Sequence, residues 1–117
     1  MKLCNLNYLK SVSPKSNTFA IQIITLFLKD TPDAIHQMNL ALESDNYFSV
    51  YKNTVKIKPS FQMIGLPEEY SKLIKEILEL SNAMSEKNKI KTLINDLDKG
   101  LKNVYLELEK ELSELKN

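Results

Sequence analysis

Few side chains in this chain have the chemistry of a reactive centre, and none of them cluster. Cys4 is the only thiol and His36 the only imidazole. A lone cysteine closes no internal disulfide, and with no histidine near it in sequence it has no base to activate it. His36 has no Cys, His or carboxylate set at metal-ligand spacing, so no metal and no cofactor is expected. There is no GxGxxG, no Ser-His-Asp arrangement and no repeat. The informative stretch is 51–66, YKNTVKIKPSFQMIGL. Tyr47, Val50, Thr54, Ile57, Phe61 and Ile64 recur at steps of three and four and form one apolar helical stripe. Val55 lies off it, about 120° from the centre of the stripe. Its helical neighbours are Tyr51, Lys58, Pro59 and Gln62. Apolar groups mixed with a lysine suit a contact surface better than a core.

Counted from Val55, Lys58 stands three residues on, Ser60 five and Gly65 ten. This pattern resembles the signature helix of histidine-containing phosphotransfer (HPt) domains, in which a histidine precedes lysine, glycine, serine and a second glycine at offsets of three, four, five and ten. Pro59 takes the place of the first glycine, and Val55 takes the place of the histidine. The resemblance covers nearly the whole chain at the level of pattern, and its most specific part is 58–65. It implies a degenerate member of the family that keeps the scaffold, with Ser60 and Gly65 as structural motif residues, and lacks the phosphate acceptor. Family members accept a phosphoryl group from a receiver-domain aspartate on an imidazole nitrogen, and isopropyl has no lone pair to offer. Thr54 faces the core without an evident base. Lys56 points about 100° away from Val55, and a lysine ammonium is no nucleophile near neutral pH. His36 matches nothing in the motif and reads as a surface residue. No enzyme activity is expected.

The totals are those of one small domain over residues 1–117, with 43 % hydrophobic and 26 % charged residues and a net charge of +1. That balance argues against a nucleic-acid binder. The start MKLCNLNYLK has no apolar signal-peptide core. The longest apolar run, 21–28, is broken by Gln22 and Thr25 and is too short to span a bilayer. A cytoplasmic protein that does not enter membranes is expected.

The elements that position the stretch are all helical. Residues 5–12 predict a short helix with Leu6, Leu9 and Val12 inward, followed by a turn at 13–16. Asn17 or Thr18 is placed to cap a helix whose apolar face, Phe19, Ala20, Ile23, Ile24 and Phe27, is widened by Ile21, Leu26 and Leu28, as in a helix buried on more than one side. Thr31 and Pro32 read as the N-cap and first position of a further helix, or as a kink in a continuous one. Asp45 or Asn46 caps the signature helix, which is expected to run through Pro59 because its stripe stays in register, at a cost of about 3 kcal/mol before packing; a break at Lys58 is the alternative. Another helix starts at Leu66 and Pro67 with Glu68 and Glu69 in its first turn. The last, from about 86 to 115, carries Ile90, Leu93, Ile94, Leu97, Leu101, Val104, Leu108, Leu112 and Leu115. Its end, LELEKELSELKN, is expected to overhang.

Long amphipathic helices with short connections predict an all-α, up-down antiparallel four-helix bundle with a short N-terminal helix. The expected function is a phosphorelay adaptor or competitor that binds the receiver domain of a response regulator, or a hybrid histidine kinase, without carrying phosphate. Its expected contact residues are Phe48, Tyr51, Lys52, Val55, Lys56, Lys58, Pro59, Gln62 and Met63. A monomer is expected. The alternative is a helical structural module that dimerises through its last helix.

Overall fold

The computed structural model describes residues 2–12 and 15–117 and is helical throughout, with no strand among the described residues. Five helices follow one another: α1 (Asn7–Val12), α2 (Thr18–Glu43), α3 (Tyr47–Met63), α4 (Glu68–Asn82) and α5 (Lys87–Lys116). Helix α2 packs against α3 and α5, α4 packs against the same two, and α1 rests on α2. The core draws Ile24, Phe27 and Met38 from α2, Val50, Ile57 and Phe61 from α3, Ile74 and Ile77 from α4, and Ile90, Ile94, Leu97, Leu101 and Leu108 from α5. Phe27 ties three helices together: its ring centroid lies 5.7 Å from Phe61 and 6.1 Å from Tyr105, both tilted, a favourable edge-to-face type of approach.

Polar contacts set the ends. Lys87 Nζ donates to Asp45 Oδ1 at 2.7 Å, joining the α2–α3 turn to the start of α5. At the other end, Asn17 Nδ2 donates to the Leu115 carbonyl at 3.2 Å. Between α4 and α5, Lys89 pairs with Glu76 at 2.9 Å. Gly100, which costs its helix about 1 kcal/mol relative to alanine, lies under Tyr70: a Cβ there would stand 2.8 Å from the Tyr70 hydroxyl.

Helix α2 runs unbroken through Pro32, so Thr31 is no N-cap; its side chain is buried and its residue is interior helix. The apolar face on either side of Pro32 is one face, and burying it outweighs the hydrogen bond that proline cannot give. Asn17 occupies the N-cap position of α2 without bonding to it through its side chain. Instead the Thr18 amide donates to Ser16 Oγ at 3.2 Å. Leu26 is exposed, because the neighbours of α2, helices α1, α3 and α5, leave this residue facing solvent. Val12, the last residue of α1, is exposed as well: at about 100° per residue it lies about 120° around the helix from Leu6, off the face that Leu6 and Leu9 bury. The turn expected at 13–16 lies partly outside the described residues.

The end of α5 does not overhang freely. Residues 2–5 run along it, and one carboxylate, Glu107, accepts the amides of Leu3 at 2.7 Å and Cys4 at 3.1 Å. Glu111, buried, accepts Lys2 Nζ at 2.8 Å and has Lys10 Nζ at 3.9 Å. Leu108 is fully buried beneath, and Leu112 and Leu115 are half-buried. The Lys2 hydrogen bond, helped by the charge of Lys10 and opposed by burial, holds the Glu111 carboxyl below its ordinary value of 4.5. A carboxyl depressed in the folded state contributes stability that is complete above the unfolded value and is lost as pH falls through the lower folded one. As pH falls through and below the ordinary carboxyl value of 4.5, native stability is therefore expected to fall less steeply in Glu111→Gln than in the native chain, measured as denaturant midpoints over that range.

Candidate functional site

Helix α3 is built to present a face. Asn46 caps it, its Oδ1 accepting the Ser49 amide at 3.1 Å. Val50, Thr54, Ile57 and Phe61 are buried, and the helix continues through Pro59 to Met63, as its uninterrupted stripe requires. The opposite side carries Val55, which is 44 % exposed, and Phe48, which is 73 % exposed. Lys52, Lys56, Lys58, Pro59 and Gln62 are exposed, while Tyr51 and Met63 are half-buried at the two edges. All nine residues expected to form the contact surface therefore lie on α3 and reach solvent in part or whole.

Three features decide what this face can do. First, α3 carries three lysines and no Asp or Glu. Lys52, Lys56 and Lys58 take part in none of the ion pairs among the described residues. An acidic partner would meet cations that no internal carboxylate has neutralised. Second, Pro59 has no N–H to give the carbonyl four residues earlier, so the Val55 carbonyl lacks its usual intrahelical donor. Third, no reactive group stands on the face. The Thr54 hydroxyl is buried and donates to the Val50 carbonyl at 2.7 Å. Ser60 Oγ is likewise committed to the Ile57 carbonyl at 2.7 Å. His36 is exposed on α2, away from α3's motif residues in sequence and on another helix.

Alongside Met63 and Pro59 a shallow groove of about 210 Å³ separates α3 from α2, lined by Ile23, Leu26, Asp30 and Lys56 among others. Exposed Leu26 is thus an apolar neighbour of the face that helical angles on α3 alone do not reveal. Gly65 follows the end of α3. It adopts φ +63°, and a Cβ there would lie 2.3 Å from the Asn5 carbonyl oxygen. The Asn5 amide donates to the carbonyls of Ile64 and Gly65, each at 3.1 Å. Gly65 therefore lets the N-terminal segment cross the end of α3 in contact with its backbone.

Elsewhere, Cys4 is half-buried, and burial, reinforced by Glu107, pushes its thiol up to about 12, which removes it as a nucleophile near neutral pH. Among the described residues no group of three or more His, Cys, Asp or Glu is placed to hold a metal ion. None of the described helices is long and apolar enough to cross a membrane. No protein-family model, no curated protein and no solved structure matches this chain.

Proposed function

We propose that this chain is an HPt-like up-down four-helix bundle that docks receiver domains of response regulators or hybrid histidine kinases through the Val55 face and carries no phosphate. The observation that carries the reading is the exposure of Val55 amid Lys52, Lys56 and Lys58 on an acid-free helix face, at the motif position where an acceptor imidazole belongs. A receiver's phosphorylation pocket is acidic, so the lysines supply charge complementarity and on-rate, while Val55, Phe48, Pro59 and Met63 supply desolvated contact. The bundle topology is supported by the ring of neighbours α2–α3–α4–α5 and by the end contacts Lys87–Asp45 and Asn17–Leu115.

Bound without accepting phosphate, the chain acts in the cytoplasm as a competitor of true phosphotransfer domains or as an adaptor. The competing idea, a module that pairs through the end of α5, finds the Glu107 and Glu111 side of that helix already covered by residues 2–4 and is left with the outer side around Leu106. The test is a competition assay. Excess native chain is expected to slow passage of labelled phosphate from a phosphorylated receiver to an authentic histidine domain, and Lys58→Glu is expected to slow it at least about tenfold less effectively. Equal rates with and without the native chain, across the receivers of the same genome, would remove the proposal.

A further inference from the structure

The two most exposed large apolar side chains among the described residues are Phe48, at 73 %, and Met84, at 68 %. They come from different helical regions, the start of α3 and the turn between α4 and α5, yet they line one cleft of about 330 Å³ with Tyr47, Tyr51, Ser81 and Asn82. Met84 is held there at a conformational cost. Its φ is +54°, in the left-handed region that glycine enters freely and a Cβ-bearing residue does not. The turn itself is an ordinary helix-ending motif: the Met84 amide donates to the Ser81 carbonyl at 3.1 Å and the Ser85 amide to the Leu80 carbonyl at 3.2 Å. Such an ending ordinarily places glycine or asparagine at this position. Asp45, the matching residue in the α2–α3 turn, is of a type that tolerates the conformation. Methionine at position 84 satisfies no need of the turn, and its side chain contributes little to the core.

We infer that the Phe48–Met84 cleft is the anchor pocket of the docking surface, taking an apolar side chain presented by the acidic surface of the receiver. The inference rests on the reading proposed above, which it extends from α3 across to the α4–α5 turn. Two observations select this occupant. The cleft is continuous with the Val55 face, since Tyr51 lines the one and is the helical neighbour of Val55 on the other. Its charge does not oppose an acidic visitor: the one carboxylate among its lining residues, Asp45, is paired with Lys87 at 2.7 Å, and Lys52, beyond the lining, follows Phe48 by one helical turn. A flexible thioether beside an aromatic ring is well suited to close on side chains of differing shape, so Phe48 and Met84 set which receivers bind.

The test measures affinity and stability together on the full chain. Purified receiver domains from the same genome are titrated against native protein, Met84→Gly, Phe48→Ser and Val55→Glu, and each variant is melted alone. Met84→Gly is expected to raise the melting temperature by about 4 °C while weakening binding about tenfold, a pairing that a purely structural residue does not produce. Phe48→Ser is expected to weaken binding by a similar factor without lowering the melting temperature. If Val55→Glu abolishes binding while Met84→Gly and Phe48→Ser bind as tightly as native protein, the anchor is overturned and the docking face stands. If no receiver binds the native chain, or Val55→Glu binds unchanged, the docking face falls and the anchor with it. Self-association of the native chain that Met84→Gly abolishes would make the cleft a contact between copies and would also overturn the anchor.

Discussion

Val55→His is expected to take up phosphate from a phosphorylated receiver, where the native chain takes up none. The position is 44 % exposed on the outer side of a well-formed helix, so an imidazole fits there in ordinary helical rotamers and reaches solvent. With a reference pKa of about 6.5, an imidazole offers a free nitrogen at neutral pH, and the cationic neighbours Lys52 and Lys58 favour its neutral form. Lys58 stands one turn further on, without an internal carboxylate partner among the described residues, and is available to meet phosphoryl oxygens. The substitution touches no core residue, and its effect on stability is expected to stay within about 0.5 kcal/mol. His36→Ala combined with Val55→His should label as well as Val55→His alone, because His36 lies on a different helix. Labelling of the native chain, abolished by His36→Ala, would show that the acceptor has moved rather than disappeared.

Gly65→Ala is expected to destabilise the fold by at least about 2 kcal/mol, read from denaturant midpoints at unchanged slope. Two costs combine. A Cβ at φ +63° carries the left-handed penalty of about 1–2 kcal/mol. The same Cβ would lie 2.3 Å from a backbone oxygen of Asn5, which cannot swing aside as a side-chain tip could. Relief requires the N-terminal segment to lift, giving up the Asn5 amide bonds to Ile64 and Gly65 and disturbing the Glu107 clasp on Leu3 and Cys4. In a chain lacking residues 1–5 the penalty of Gly65→Ala should shrink to the conformational part alone. A full-sized penalty there would mean that the approach of Asn5 is not what requires glycine.

How far these features can be read from sequence depends on whether their cause is local. Helix α3 could be placed through Pro59 because Ile57, Phe61 and Ile64 continue the stripe set by Val50 and Thr54, and the set of side chains that share a face with Val55 follows from helical angles. At Pro32 the same signal competed with a Thr-Pro step that commonly starts a helix. Only the shared burial of Phe27, Thr31 and Ala34 on one face resolves it. Causes that are distant in sequence left no local trace. Glu107 and Glu111 look like solvated tail carboxylates until residues more than a hundred positions away, Lys2 and Leu3, are brought onto them. Gly65 is visible as a motif residue, yet its reason is the backbone of Asn5. Leu26 reads as core-widening because nothing in α2's own sequence says where its neighbours stop. Met84 sits in a polar stretch that reads as a loop, and no residue type there announces a left-handed backbone or a shared cleft with Phe48.

Every role proposed for this chain depends on the face around Val55 binding receivers. The most direct measurement is a nuclear magnetic resonance titration of the isotope-labelled native chain with receiver domains from the same genome, following every backbone amide. The predicted result is a contiguous set of shifted amides on α3, including Tyr51, Lys52, Val55, Lys56, Lys58 and Gln62, that Lys58→Glu suppresses. Shifts confined to the outer surface of α5 around Leu106, or no shifts with any receiver at saturating concentration, would contradict it.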